Sequence, residues 1–141
     1  MKTKTVKRYY CDFCKKSGQS AGHMRRHEES CTLNWHRVCG VCKILFEMDR
    51  ETSQKRMGTL LAVLNAPAIR QLSINEIGTL IVEDYSWLDL ADLRAATNNC
   101  PACIMATIRQ AGIPLPAVSG FDFAGEMKAI FACRNEMDAN R

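Results

Sequence analysis

Seven of the eight cysteines and one of the three histidines fall into two sets whose spacing suits metal binding. The first reads C-x2-C-x12-H-x3-C and holds Cys11, Cys14, His27 and Cys31. Two thiolates from a tight turn and two ligands one helical turn apart can close a tetrahedron around zinc. The i, i+4 separation of His27 and Cys31 puts both on one helix face. Four nitrogen and sulfur ligands leave no open position, so such a site is structural rather than catalytic. A redox or disulfide use of Cys11 and Cys14 would leave the positions of His27 and Cys31 unexplained. A second rival keeps the metal but replaces Cys31 by His23, which is also i, i+4 to His27.

The second set joins CGVC at Cys39 and Cys42 to CPAC at Cys100 and Cys103. Zinc is the expected metal, which makes two structural zinc ions in all. Iron at the four cysteines and a redox dithiol are the rivals. Cys100 is placed to cap a helix and Cys103 lies in its first turn, where the positive helix end stabilises thiolates. Tying residue 39 to residue 103 would clamp a long loop. Cys133 has no partner and reads as a small buried hydrophobe near an apolar stripe.

The elements that must hold these ligands are mostly helical. Residues 1–31 form a basic arm and finger, residues 32–38 a connector, and residues 39–141 a helical body carrying the four-cysteine site. Met57, Leu60, Leu61 and Leu64 stripe a helix at about 51–65. Ser73 and Glu76 form a capping box for a second helix bearing Ile74, Ile77 and Ile81. Ser86 and Asp89 sit at cap-like spacing at the start of a third, WLDLADLRAA. CPACIMATIRQAG is a fourth, with Pro101 at its favoured first position and Gly112 as its stop. Phe123, Met127, Ile130 and Phe131 stripe the last, at about 122–137. No strand is expected outside the cysteine-bearing turns. Trp35 and Trp87 read as core or interface residues, and His36 as part of the connector.

Composition narrows the class. The chain is 47% hydrophobic and 24% charged, as soluble globular proteins are. No apolar run reaches the roughly 20 residues of a membrane span. The start, MKTKTVKRYYC, lacks the apolar core of a secretory signal. An intracellular, cytoplasmic and reducing setting follows as the expectation, and there cysteine pairs mean metal rather than disulfides. The net charge of +4 is uneven: residues 1–30 carry +5 and the rest −1. A basic head on a near-neutral body suits a polyanion partner, and its bland alternative is a solvated tail.

Residues 9–31 resemble a ββα zinc finger in its variant with Cys as the last ligand. Tyr9 matches the aromatic two residues before the first Cys, and Met24 the apolar residue three before the His. Gly18 stands where an aromatic is usual, with Phe13 as its substitute. The resemblance implies base contacts from helix positions −1, 3 and 6, which fall on Ser20, His23 and Arg26. Arg25, Lys15 and Lys16 would then face phosphates. The second set resembles a treble clef, a turn-borne CxxC followed by a helix-start CxxC. It departs from that pattern at Lys43, where a glycine is usual. The combination is also similar to small uncharacterised proteins of bacterial viruses, which would place it in a host cell.

No phosphate-binding loop, dinucleotide fingerprint or HExxH occurs. No histidine lies in 43–99, which speaks against a treble-clef nuclease. The expectation is therefore no enzyme and no small-molecule substrate. Nucleic-acid binding, DNA ahead of RNA, is the first reading, with a regulatory role. The alternative is a protein-interaction module, an adaptor or inhibitor, acting with a protein partner or as a homodimer.

Overall fold

The structure, a computed structural model, describes residues 1–64, 88 and 90–139. It is mostly helical, with an N-terminal hairpin. Strands β1 (Tyr9–Tyr10) and β2 (Ser17–Gly18) pair antiparallel, Tyr9 opposite Gly18 and Tyr10 opposite Ser17. Helix α1 (Ala21–Ser30) follows. Ser20 caps it by accepting the His23 N–H at 3.3 Å. Position 1 of the finger helix is therefore Ala21, as the resemblance implied.

Five more helices occur among the described residues: α2 (Gly40–Phe46), α3 (Arg50–Val63), α4 (Ala91–Thr97), α5 (Pro101–Gln110) and α6 (Phe123–Ala139). A 3-10 turn at Leu115–Ala117 links the last two. Asp49 caps α3, its carboxylate accepting the Thr52 N–H at 2.6 Å. Pro101 opens α5 where a missing N–H costs nothing. Gly112, at φ 74°, closes it. The Gly112 N–H reaches Arg109 O and the Ile113 N–H reaches Ile108 O, the two bonds of a Schellman end. The helix expected after Ser73, the Ser86 and Asp89 cap, and Trp87 lie outside the described residues.

The body core is built on the predicted stripes. Met57 and Leu60 of α3 and Leu64 at its carboxyl cap are buried and Leu61 half-buried. Leu60, Leu93, Ile104 and Ile108 are fully enclosed, with Met127 and Phe131 of α6 packed against the cluster. Two expectations need correction. Cys133 is exposed, because Met127, Ile130, Phe131 and Arg134 take the inward i, i+3, i+4, i+7 stripe and Cys133 falls outside that spacing. Helix α2 stands where a cysteine-bearing turn is expected, since its seven residues are too few to display a period.

The connector is an ordered splice rather than a loose link. Asn34 and Arg37 are buried. Asn34 Nδ2 donates to Glu28 O at 2.7 Å, and Arg37 Nη2 donates to Ser30 O at 3.2 Å, covering the carbonyls at the end of α1. From the body, Gln110 Nε2 donates to Thr32 O and Asn34 O at 2.9 and 3.0 Å. Arg109 Nη1 reaches Thr32 Oγ1 at 3.1 Å, and Arg50 pairs with Glu29. Trp35, expected in a core or interface, stands 73% exposed between the buried Asn34 and Arg37.

Candidate metal centres and the basic finger

In the finger, the hairpin brings Cys11 and Cys14 to the inner face of α1. The Cys11 N–H donates to Lys16 O at 2.9 Å, closing the turn. The Phe13 N–H points to Cys11 Sγ and the Lys16 N–H to Cys14 Sγ, each at 3.4 Å. Such donors stabilise thiolate over thiol. His27 Nε2 lies 3.2 Å from Cys14 Sγ. The ligand atoms of Cys11, Cys14, His27 and Cys31 all lie within 4.8 Å of one another. His23 is exposed on α1, so Cys31 and not His23 completes the set.

The ionisation balance of this set fits a cation. Burial raises the Cys14 thiol, but the Lys16 N–H and contacts from Cys11 and Cys31 bring it below its ordinary value. Burial pushes the Cys31 thiol up to about 11. A divalent ion removes that conflict by holding both as thiolates. The finger core is thin: Cys11, Met24 and Cys31 are buried, with Cys14 and Leu33 packed against them. Phe13 does not replace the missing aromatic. It is 42% exposed and outside the buried cluster of the finger.

The second set is buried outright, with Cys39, Cys42, Cys100 and Cys103 each no more than 2% exposed. Cys39 Sγ lies 3.7 Å from Cys100 Sγ, and Cys42 Sγ lies 3.6 Å from Cys103 Sγ. These separations exclude a disulfide, whose S–S length is about 2.05 Å. They match the edge of a tetrahedron with Zn–S bonds of about 2.3 Å, roughly 3.8 Å. The donor set therefore fits zinc, and each cluster can hold one ion. The two clusters support a zinc-binding protein.

The local build differs from a treble clef. Cys39 caps α2 and its Sγ accepts the Cys42 N–H at 3.4 Å, while Cys100 caps α5. Both CxxC pairs thus start helices and face each other in register, first cysteine to first and second to second. The described sheet is confined to the finger. The Ser53 hydroxyl accepts the Cys39 N–H at 2.8 Å, and Thr107 donates to Cys103 O at 2.7 Å.

Four enclosed thiols also compete for protons. Hydrogen bonds from Cys100, then Cys103, lower Cys39 and Cys42. Bonds to Cys100, Cys39 and Cys42, together with burial, raise Cys103. Only a bound cation lets all four ionise. Arg56, whose role no sequence motif signals, contributes a fixed positive charge here. Its Nη1 lies 3.1 Å from Cys42 Sγ and 3.7 Å from Cys103 Sγ, and its Nη2 donates to Ala96 O at 2.9 Å.

The residues assigned to nucleic acid sit on the outside of the finger. Lys15, Lys16, Ser20, His23, Arg25 and Arg26 are all exposed. Ser20 is already engaged as the α1 cap. Among the described residues no helix is long and apolar enough to cross a membrane. No protein-family model, curated protein or solved structure matches this chain.

Proposed function

We propose that this zinc-binding chain is an intracellular nucleic-acid-binding protein, DNA ahead of RNA, whose finger holds phosphates and bases while the body fixes its direction. The supporting observation is an asymmetry of the finger. Its carboxyl end is fastened to the body through Gln110, Arg109 and Arg50, while Lys15, Lys16, His23, Arg25 and Arg26 face solvent. A basic surface held rigidly loses little entropy when it meets a polyanion. Arg26 suits a guanine edge, His23 a purine, and Arg25 with the two lysines the backbone. One finger covers about three base pairs, so the N-terminal lysines or a second copy would add affinity. No catalytic step is assigned to it.

Fluorescence anisotropy of the zinc-loaded protein on duplex DNA, single-stranded DNA and RNA across salt tests this reading. Log affinity should fall with log salt by about 0.9 per phosphate contacted on duplex DNA. Absence of binding at low salt would overturn it. The second reading is a protein-interaction module. It is favoured by a groove of about 630 Å³ between α2 and α6, lined by Ile44, Phe46, Ile130 and Met137.

A further inference from the structure

The hairpin has two faces, and the strand register sorts its residues between them. Cross-strand partners share a face and neighbours along a strand alternate. Tyr9 is opposite Gly18, and a Cβ built on Gly18 would lie 4.0 Å from Met24 Cε. That pair therefore faces α1. Tyr10 and Ser17 face the other way, and Arg8, two residues before Tyr10, joins them. Arg8 Nε donates to Ser17 Oγ at 3.0 Å, which confirms the placement. Tyr10 is 66% exposed on this outer face. The exposed Phe13, Lys15 and Lys16 occupy the tip of the same hairpin.

Contact through the helix face leaves these rings unused. In a duplex the base faces are hidden by stacking and only the edges reach the grooves. A solvent-facing ring set among cations meets a complementary surface in an unpaired strand, whose bases are free to stack and whose phosphates lie alongside. Ser20, one of the three base-reading positions, is occupied as a cap, which further weakens readout from the helix.

We infer that the outer face of the hairpin binds an unpaired nucleic-acid strand, with bases stacked on Tyr10 and Phe13 and phosphates held by Arg8, Lys15 and Lys16. The inference rests on the nucleic-acid reading above and names its substrate class. Ring stacking is indifferent to base identity and to the sugar, so unpaired DNA and RNA share the chemistry required.

The test uses the full zinc-loaded chain with fluorescein-labelled oligothymidine, oligouridine and a random duplex, each about 20 nucleotides long. Single strands should bind more tightly than the duplex. Tyr10→Ala and Tyr10→Leu should weaken single-strand binding roughly tenfold, and Tyr10→Phe should preserve it. Arg8→Gln should reduce the salt slope on single strands by about 0.7. Zinc content, unchanged at two ions per chain, checks that the variants fold. Equal affinity for the two single strands supports stacking alone, and a preference for either names the strand. If Tyr10→Leu and Arg8→Gln leave single-strand binding unchanged while the duplex still binds, this inference falls and the nucleic-acid reading stands. If the wild-type chain binds no probe, both fall.

Discussion

The guanidinium of Arg56 lies 3.1 Å from Cys42 Sγ and simultaneously caps the carboxyl end of α4 through Ala96 O. Four thiolates around a divalent ion leave a net double negative charge in a dry site. Arg56 offsets part of it and ties α3 to the metal centre. Arg56→Ala should destabilise the body by about 2 kcal/mol, the worth of hydrogen bonds to charged groups. It should also hasten zinc release to a chelator. Arg56→Lys should restore the charge but not the two-sided fork, and so recover only part of the loss. Thermal unfolding and zinc release followed with a chromogenic chelator check both points.

The two sites should fail separately. Cys103→Ser should reduce zinc from two ions to one and loosen the body, since Cys103 sits against the Ile104 and Ile108 core. Cys31→Ser should also reduce it to one while leaving the body cooperative. The finger depends more on its metal, because a zinc site supplies about 10–16 kcal/mol where its own core is three residues deep. Metal content by mass spectrometry under native conditions, together with unfolding curves, separates the cases. A variant that retains two ions refutes its site.

How much of this was legible in the sequence depended on how local the signal was. The ligands of both sites, the α1 start and the α5 boundaries follow from spacing and from Pro101 and Gly112, which act within a turn. Helix α2 had no period to display in seven residues, so CGVC looked like a turn and the second site looked like a treble clef. Arg56 was illegible because its role depends on where α3 and α5 meet, a tertiary fact. Cys133 failed for a finer reason: a one-position shift around a helix turns a side chain by about 100°. Of the core and interface roles expected for Trp35, its exposure excludes the core, because Asn34 and Arg37 take the buried positions to serve the carbonyls of α1.

The finger's basic residues make opposite predictions for selectivity. Arg26→Ala should weaken nucleic-acid binding and relax base preference, at about 1–3 kcal/mol for one lost bidentate contact. Lys15→Ala should weaken all sequences alike and lower the salt slope by about one contact. Competition binding with randomised oligonucleotides distinguishes the two. If neither change alters binding to any nucleic acid, the assigned roles are wrong.

Acid should act on the body through Glu126. Its two carboxylate oxygens meet Arg94 at 2.5 and 3.2 Å, and the Asp122 N–H donates to it at 2.9 Å. Arg94 holds the carboxyl below its usual value. A lowered folded pKa stabilises the protein above the unfolded value of about 4.3, and this contribution fades as pH falls through the folded value. Glu126→Gln should therefore cost on the order of 1 kcal/mol at neutral pH, with the deficit shrinking below about pH 4. The difference between wild-type and variant urea midpoints across pH reads this directly. It removes the shared effect of acid on the zinc ligands.

Helix α5 connects the second metal site to the finger. It begins at Cys100 and Cys103 and ends at Gln110, whose amide holds the carbonyls of Thr32 and Asn34 just after the last finger ligand. Gln110 Oε1 is buried without a partner among the described residues, so the side chain is committed to this clasp at some cost. Gln110→Ala should release the connector and cost about 1–2 kcal/mol. Arg37, buried in that connector, is a natural reporter, since trypsin cleaves after arginine only when the backbone is accessible. Cleavage there should accelerate in Gln110→Ala with both zinc ions retained. It should accelerate in Cys103→Ser too, although the finger keeps its own ion. Nucleic-acid affinity should fall in both variants, because an undocked finger loses the fixed direction of its basic face. If Cys103→Ser loses one ion and the connector stays resistant, α5 does not couple the two sites and the finger stands on its own metal alone.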